Sequence, residues 1–448
     1  MRKKAILAFM LAAALLLTGC ALVEKDQAVD DATPIIQLGD KTITKIQVSY
    51  ALQNQLYNMY QMYSSYGMSF DPNDATVRAQ TLDDVITGLT KQLVKEKKAT
   101  ELGFDTFTSE EDKAIQETAQ KNLDTDKETV KAYYFADTKL EGEALDTAIQ
   151  EKMTELGATF DRYYANEKAT ATEKKLRDSV VSSITVTNEQ IKGDYDSRVA
   201  QAKSTYESNL SAYGSSVNSN ADVYYAPAGY RYVKHILRKF PDETKTALTS
   251  LQTQISDKAT QISTVDSSIT ALGEGVAQDD PKRTDLNAQK TALEQAKDGL
   301  QAQYDKALED AYAKLVPTVD EVLGKITAGE DFDALMETYG EDPGMQTSPR
   351  KEKGYAVCEG FASFDPAFTQ AAMALKQVGD VSPAVRGQSG IHIIKYVSDI
   401  AEGAVPLDTV KEKISSELLT GLQDDAYTAK VDEWVAQSGV KVYKDNMK

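Results

Sequence analysis

The sequence predicts an α+β protein in which a mainly helical part surrounds a smaller unit of strands and helices. Long segments near both ends, such as residues 45–66 and 407–437, carry apolar residues at helical spacing. Between them lie two short apolar runs of strand character, residues 230–240 and 390–397, each with one of the chain's two histidines. Two heptad-patterned segments separate these runs, so the smaller unit is expected to contain an insertion of its own.

The first twenty residues have the pattern of an export signal. Positive residues at positions 2–4 precede a continuous apolar stretch, 5–17, which is too short to span a membrane comfortably. The sequence Leu17-Thr18-Gly19-Cys20 then resembles the lipobox of bacterial lipoproteins. The alternative is an ordinary secretory signal with a chance cysteine.

The lipobox resemblance sets an expectation for location. It implies a lipoprotein signal peptide at 1–19, lipidation of Cys20 with palmitate or a similar acyl chain, and a tether at 20–34. The protein would then lie outside the cytoplasm, anchored by lipid to the outer face of the cell membrane.

Composition excludes several classes of function. The net charge of −19 over 448 residues repels nucleic acid and anionic headgroups, so nucleic acid is not an expected partner. After removal of the signal and lipidation of Cys20, only Cys358 would remain free, so no intramolecular disulfide is expected. The chain has no Cys/His ligand cluster and no glycine-rich phosphate loop, and we expect no metal or cofactor.

The N-terminal part is expected to be a hairpin followed by helices. Residues 35–44 predict two strands turning at Gly39-Asp40, and Thr44 with Gln47 forms a capping box at the start of the next helix. After the helix at 45–66, further helices are predicted at 77–102, 109–122, 127–136, 141–180 and 187–212, with a loop or linker at 211–228.

The helix at 45–66 and the residues after it are rich in tyrosine and methionine. This stretch either binds unfolded clients, because methionine surfaces adapt to varied partners, or forms helix core. The residues in question are Tyr57, Met59, Tyr60, Met62, Tyr63, Tyr66 and Met68.

Residues 241–316 are predicted to form an antiparallel coiled-coil hairpin. The first heptad row is Leu248, Ile255, Ile262 and Ile269, and the second is Leu286, Leu293, Leu300 and Ala307. The glycine- and proline-containing run at 273–281 favours a turn over one long bent helix, and Pro317 marks the expected return to a compact fold. The sequence leaves open whether the arm clamps a client, joins two copies in a homodimer or acts as a spacer.

Four segments around this insertion resemble the parvulin family of peptidyl-prolyl cis-trans isomerases. Their order and internal spacing agree with that family. They are Val233–Leu237, Asp331–Leu335 with Tyr339–Gly344, Phe368–Leu375 with Gly379–Ser382, and Ser389–Ile394.

The whole layout resembles the PrsA-type foldase lipoproteins, relatives of the SurA chaperone. That resemblance implies a helical chaperone domain built from 35–228 and 401–448, with the parvulin domain inserted between them at 229–400. The coiled-coil hairpin inside the isomerase domain departs from the usual family pattern.

The parvulin resemblance implies a set of site residues. His235 and His392 would stand on adjacent strands, in a hydrogen-bond network completed by Asp342 and Ser389. The substrate's proline ring would contact the apolar residues Phe364, Phe368, Val357 and Met373. The alternatives are that the histidine pair serves only to knit the sheet together and that Asp342 is only a turn residue.

The expected function is that of a foldase for unfolded or newly exported polypeptides, with prolyl isomerase (rotamase) activity. The alternative is a holdase chaperone whose isomerase unit has lost catalysis, because the turn at 353–357 is shorter than is usual for the family. A third hypothesis is an assembly protein that recruits a partner through the coiled coil.

Overall fold

The computed structural model describes residues 27–273, 275 and 277–448. The expected signal peptide at 1–19 and the lipidated Cys20 lie outside the described residues. Among the helices that are described, none combines the length and the apolar character needed to cross a membrane.

The described chain is an α+β protein with long helices and short antiparallel strands, as the sequence predicted. The helices are α1 (Gln27–Asp31), α2 (Lys45–Ser65), α3 (Ala75–Glu101), α4 (Ser109–Tyr134), α5 (Gly142–Glu155), α6 (Phe160–Val181), α7 (Asn188–Ser208), α8 (Leu210–Asn218), α9 (Asp242–Ala271), α10 (Pro281–Thr327), α11 (Phe332–Tyr339), α12 (Arg350–Lys353), α13 (Pro366–Ala374) and α14 (Leu407–Gln437). The strands are β1 (Pro34–Leu38), β2 (Lys41–Thr44), β3 (Tyr225–Ala226), β4 (Arg231–Lys239), β5 (Tyr355–Val357), β6 (Val385–Gly387), β7 (Gly390–Asp399), β8 (Gly403–Ala404) and β9 (Lys441–Val442).

The chain forms two compact units, of which the first comprises described residues up to 185 together with 417–448. Its small sheet has the order β2-β1-β9, so strands from the two ends of the chain pair with each other. The predicted hairpin turn is confirmed by the positive φ of 63° at Gly39, and both hydrogen bonds of the Thr44–Gln47 capping box are present.

The helices of this first unit are confirmed in type, but several boundaries differ from the prediction. The two helices expected at 109–122 and 127–136 are one continuous helix, α4. The single helix expected at 141–180 is two, because Gly157 adopts a positive φ of 67° after α5 and Thr159 caps the start of α6. One apolar core joins hairpin, helices and C-terminal segment, with members that include Ile35, Ile36, Ile86, Leu93, Leu176, Tyr427, Val431 and Trp434.

The second unit comprises residues 186–416 and contains the main sheet. This sheet is antiparallel throughout and has the order β5-β4-β7-β6. The two histidine-bearing runs predicted as strands are therefore its two central strands. In their register His235 lies opposite Ile394 and His392 lies opposite Leu237.

Between the central strands in sequence, α9 and α10 form a long helical hairpin. The ammonium group of Lys290 lies 2.7 Å from the Asp266 carboxylate, which ties the two helices together near the turn. At 30 residues, α9 is roughly 45 Å long. The described residues between 249 and 310 are at most partly buried, whereas the base of the hairpin is core, with Leu248, Ala311, Tyr312, Leu315, Val319 and Val322 buried.

Pro317 does not end this hairpin, contrary to the sequence prediction. It lies inside α10, which continues to Thr327. A proline inside a helix removes one backbone hydrogen bond and crowds the preceding turn. The flanking residues Leu315 and Val319 are buried in the core, and their burial offsets that cost.

The segment 211–228, predicted as a loop, is also different in the structure. Its first part lies within α8, which packs beside the sheet. Its last part includes β3, which pairs with β8. Tyr213 and Tyr230 lie edge to face with ring centroids 4.7 Å apart, and both are buried. Serine, asparagine and glycine in this segment suggested a loop, but burial of its aromatic residues against the sheet favours the helix.

Candidate functional site

The two central strands bring the two histidines together. Because His235 faces Ile394 and His392 faces Leu237, the histidines are diagonal neighbours on one face of the sheet. Their Nδ1 atoms lie 2.9 Å apart, and their rings are nearly parallel at 18°. Both side chains are buried, so this contact excludes water.

Asp342 closes the network from the loop after α11. Its Oδ2 lies 2.7 Å from Nε2 of His235, and its Oδ1 accepts a hydrogen bond of 2.9 Å from the backbone N–H of Gly344. Burial alone would raise the pKa of Asp342. The hydrogen bonds from His235, Gly344 and Tyr355 outweigh burial and lower that pKa to about 2, so the carboxylate is charged at neutral pH.

For two neutral imidazoles, these contacts determine which ring nitrogens carry protons. With both imidazoles neutral, the Nε2–H of His235 donates to Asp342, so the Nδ1 of His235 is an acceptor for the Nδ1–H of His392. The Nε2 of His392 then carries no proton. Burial, followed by the neighbouring His235, lowers the pKa of His392 to about 4, which agrees with a neutral ring.

Tyr355 is a site residue that the sequence interpretation missed. Its hydroxyl donates a 2.9 Å hydrogen bond to the same Asp342 oxygen that contacts His235. Burial and the Asp342 carboxylate raise the pKa of Tyr355 above its ordinary value, so the phenol remains a donor. A Cβ at Gly344 would lie 1.9 Å from this hydroxyl, which explains why glycine is needed there.

Two features of the sequence pointed to Tyr355 without identifying it. It lies in the shortened turn at 353–357, where the sequence placed a short strand, and it is the only aromatic residue there. Its role depends on the pairing of β5 with β4, which sets Tyr355 opposite Val233 and beside His235. That pairing cannot be read from the local sequence.

Aromatic side chains form a wall beside the histidines. The ring of Phe368 lies 5.1 Å from that of His235 and 5.3 Å from that of His392. Phe364 packs edge to face on Phe368 at 5.6 Å and tilts against Tyr355 at 5.0 Å. Because Phe364 is only partly buried, it offers an aromatic face to a ligand.

The other two predicted pocket residues support this wall. Val357 is fully buried in a cluster with Phe368 and Ile394, so it lies behind the wall and is closed to a ligand. Met373 is partly buried against the same cluster. It also lines a separate cavity of about 570 Å³ beside Phe361 and Pro366, whose lining does not include the histidines.

The structure does not bring Ser389 into the network. Gln388 and Ser389 form the two-residue turn between β6 and β7, and Ser389 is exposed there. Its carbonyl accepts a hydrogen bond from the N–H of Phe240, and no described side-chain contact joins it to either histidine. Its position in the turn, outside both strands, accounts for the difference from the prediction.

Gly387 and Asp365 are two further site residues that the sequence did not indicate. A Cβ at Gly387 would lie 2.8 Å from Nε2 of His392 and 2.7 Å from a carboxylate oxygen of Asp365. Asp365 caps the start of α13 through the N–H of Ala367 and also accepts a hydrogen bond from the N–H of Gln388. The free nitrogen of His392 therefore faces a narrow space between the β6–β7 turn and α13.

Comparison with known proteins agrees with the parvulin resemblance. Residues 302–398 match the family described as Rotamase, the PPIC-type PPIase domain. This match contains Asp342, Tyr355 and His392. It begins within α10 and so leaves out β4 and His235, which the helical hairpin separates from the rest of the domain.

Curated proteins similar to this chain include two foldase proteins named PrsA. The chain is 38% identical over 139 residues to foldase protein PrsA of Clostridium botulinum strain 657, a match that covers 30% of this chain and 40% of the relative. It is 32% identical over 177 residues to foldase protein PrsA of Geobacillus sp. WCH70, covering 36% of this chain and 60% of the relative. The matches thus span about half the length of these relatives.

Among solved structures, PrsA from Bacillus subtilis aligns over 91% of this chain and 92% of its own, with 18% identity and a TM-score of 0.20. The family match contains three of the four network residues, Asp342, Tyr355 and His392. Residues 302–398 are thus similar to the PPIC-type, or parvulin, peptidyl-prolyl isomerase domain, and part of the chain is similar to PrsA foldases.

Proposed function

We propose that this protein is an extracytoplasmic foldase that accelerates the cis-trans isomerisation of X-Pro bonds in newly exported polypeptides. The observation that carries the proposal is the buried network of His235, His392, Asp342 and Tyr355 beside the aromatic face of Phe364 and Phe368. A polar network and an apolar wall on adjoining sides suit a substrate with a carbonyl next to a proline ring.

The chemistry requires no nucleophile. Rotation about a peptide bond meets a barrier of about 18–20 kcal/mol, because the planar amide is stabilised by resonance. An uncatalysed X-Pro bond therefore takes tens to hundreds of seconds to isomerise. A site that binds the twisted amide more tightly than the planar one lowers this barrier by differential binding alone.

Each part of the network has a role in this proposal. Phe364 and Phe368 hold the proline ring, while the polar groups stabilise the carbonyl as it rotates out of conjugation. The Asp342 carboxylate fixes the ring of His235 through Nε2, and His235 in turn orients His392. In this proposal the histidines act as oriented hydrogen-bonding groups, because rotation about the amide bond requires no proton transfer.

A cis-to-trans assay on a proline-containing peptide tests the proposal. The full chain should accelerate isomerisation, and the double variant His235→Gln with His392→Gln should reduce kcat/KM by about tenfold or more. Ser389→Ala is the matched control, because Ser389 lies outside the network, and it should retain wild-type activity. Absence of acceleration by the folded wild-type chain would overturn the proposal.

The proposed location rests on the N-terminal signal and its lipobox. Acylation of Cys20 would hold the folded units at the outer face of the membrane, where exported chains emerge. A Cys20→Ala variant should move from the membrane fraction to the soluble fraction and should fail to incorporate labelled palmitate. Retention of Cys20→Ala in the membrane fraction would count against lipid anchoring.

A holdase activity is a second candidate, and the surface of α2 favours it. Five of the tyrosine and methionine residues singled out in the sequence are exposed: Tyr57, Tyr60, Met62, Tyr66 and Met68. No charged residue occurs between Lys45 and Asp71, although 27% of the chain is charged. An uncharged surface rich in tyrosine and methionine suits apolar segments of unfolded clients. It belongs to the helical part proposed as a chaperone domain, 35–228 with 401–448.

Aggregation of a denatured exported protein provides the test of this second activity. The triple variant Tyr57→Ser, Tyr60→Ser and Tyr66→Ser should suppress aggregation several-fold less well than the wild type. Tyr133→Ser removes an equally exposed tyrosine from α4 and serves as the control. Equal suppression by the triple variant and the control would exclude the α2 surface as the client site.

A further inference from the structure

The strand that carries Tyr355 is at the edge of the main sheet. β5 has only three residues and pairs on one side with β4, and no strand in the described part of the chain lies on its other side. Unpaired backbone groups at a sheet edge either remain solvated, attract another strand or are covered by another part of the chain. In this protein they are covered by α8.

The cover is a single side chain that imitates a neighbouring strand. The Oδ1 of Asn218 accepts a 2.8 Å hydrogen bond from the N–H of Ala356, and its Nδ2 donates a 2.9 Å hydrogen bond to the Ala356 carbonyl. One amide side chain thus satisfies both outward backbone groups of the central residue of β5. Ala356 is fully buried as a result.

α8 is itself held firmly against the sheet. The hydroxyl of Tyr230 donates to the Leu210 carbonyl and accepts from the N–H of Gly214, at 2.5 and 3.1 Å. Gly214 approaches so closely that a Cβ there would lie 2.7 Å from the Phe361 ring. At the end of α8, Arg350 donates a 2.7 Å hydrogen bond to the Asn218 carbonyl. Asn218 is therefore fixed at both its backbone and its side chain.

The position of β5 determines the position of Tyr355. Gly354 precedes it with a positive φ of 89°, and a Cβ there would lie 2.4 Å from the Val233 carbonyl, so the start of the strand has no room to shift toward β4. Asn218 restrains the strand on the opposite side, one residue after Tyr355. Between these two restraints the Tyr355 hydroxyl reaches Asp342.

We propose that Asn218 is a positioning residue for the isomerase site, acting through β5 to hold the Tyr355 hydroxyl on Asp342. The loss of activity that we expect without Asn218 rests on the proposed isomerase function. The change that we expect in the Tyr355–Asp342 hydrogen bond does not rest on that function. Asn218 lies outside residues 302–398, so the part of the chain that matches the family lacks this restraint. A chain cut at residue 229 would lack it too.

The first test observes the network directly in the full chain at neutral pH. Because the chain has only two histidines, the ring N–H resonances are few, and the buried Nε2–H of His235 bonded to Asp342 provides the probe. Tyr355→Phe removes the hydroxyl and defines the shift that follows its loss. Asn218→Ala should shift the same resonance in the same direction, and Ser219→Ala, next to it and exposed, should leave it unchanged.

A second variant, with a side chain of the same size as asparagine, covers the case in which Asn218→Ala does not fold. Asn218→Asp keeps the size and the acceptor but replaces the donor to the Ala356 carbonyl with a repelling oxygen, and it should produce the same shift. If the folded variant is less stable than the wild type but leaves the His235 resonance unchanged, Asn218 only stabilises the fold and the inference is wrong.

The second test is a double-mutant cycle in the isomerase assay. Asn218→Ala should reduce kcat/KM by about tenfold in the wild-type background, since small displacements of site groups are costly. It should have almost no effect in the Tyr355→Phe background. Additive effects would contradict the inference. An inactive wild type would overturn the proposed function instead, and the resonance of His235 would still decide the role of Asn218.

Discussion

At the scale of single residues, the site depends on one carboxylate oxygen with two donors. Oδ2 of Asp342 lies 2.7 Å from His235 and 2.9 Å from Tyr355, so the aspartate orients both a histidine and a phenol. Asp342 is therefore not only a turn residue. Its side chain also caps a 3₁₀ turn by accepting a hydrogen bond from the N–H of Gly344. A charged group in that position holds His235 with its proton on Nε2.

The depressed pKa of His392 predicts a pH-dependent stability. Its pKa is about 4 in the folded chain and about 6.5 when unfolded, so between these values the unfolded chain binds a proton that the folded chain does not. Stability should therefore fall as the pH drops from 6.5 to 4, by roughly 3 kcal/mol from this group. Asp342 contributes below this window, since its pKa falls from 3.8 to about 2.

Denaturant unfolding at pH 7 and pH 4.5 measures this effect. The wild type should lose more stability between the two pH values than His392→Gln, which has no imidazole to protonate at that position. The groups facing His392 are His235, Asp365 and Asp342, and they are the same in both proteins. Equal losses in the two proteins would contradict the assignment of a neutral, depressed His392.

Gly387 gives a second prediction at this scale. A Cβ there would lie 2.8 Å from His392 and 2.7 Å from Asp365, so Gly387→Ala must displace one of them. We expect isomerase activity to fall by about tenfold and stability to fall by about 1–3 kcal/mol. Gly299→Ala, where a Cβ meets open space, is the control and should leave activity unchanged.

The sequence was sufficient to predict residues whose strands are long and well patterned. The apolar runs predicted that His235 and His392 lie on strands, and the parvulin resemblance implied that these strands are adjacent. Tyr355, Gly387 and Asp365 were missed because their roles arise from a three-residue strand, a turn and a helix cap that meet only in the fold. Ser389 was assigned to the network from resemblance, and the hairpin turn places it outside.

At the scale of elements, periodicity predicted the helices and tertiary packing set their ends. The capping boxes at Thr44 and Thr187 start helices where expected. Pro317 was expected to mark the return from the insertion to a compact fold; its neighbours Leu315 and Val319 are core residues, but α10 continues through it. α8 was missed for the opposite reason: its composition resembles a loop, and only its contact with the sheet stabilises it as a helix.

The helical hairpin separates into a base that belongs to the core and an arm that does not. Deleting residues 256–300 and joining the ends with a short glycine-rich loop keeps Leu248, Ala311, Tyr312 and Leu315, which are buried in the core. We expect this shortened protein to fold and to retain isomerase activity on a small peptide. The thermal unfolding transition and the peptide assay measure these two properties.

Removal of the whole insertion should have the opposite result. A deletion of 244–316 removes those four core residues, and burial of each large apolar side chain contributes about 1.5–3 kcal/mol. This protein should not fold stably. If both deletions unfold the protein, the arm itself is needed for folding, and if both leave it stable, the base is not part of the core.

At the scale of the whole molecule, each of the two compact units has a large apolar core of its own among the described residues. One joins residues from both ends, including Ile36 and Trp434. The other contains residues of the second unit, including Val322 and Met336. The sequence could not show the pairing of β9 with β1, because it joins positions about 400 residues apart.

The separate cores predict separate unfolding transitions. Trp434 is the chain's only tryptophan and is buried in the core that contains Ile36, so its fluorescence reports on that unit alone. Ile36→Ala should destabilise the fluorescence transition by roughly 2–5 kcal/mol and leave the isomerase activity of the native protein unchanged. Val322→Ala in the other core should leave the fluorescence transition unchanged. It should lower the denaturant concentration at which isomerase activity is lost. Such behaviour departs from two-state unfolding because each core can be lost by itself. A single transition shifted equally by both substitutions, in fluorescence and in activity, would show instead that the two cores unfold as one cooperative structure.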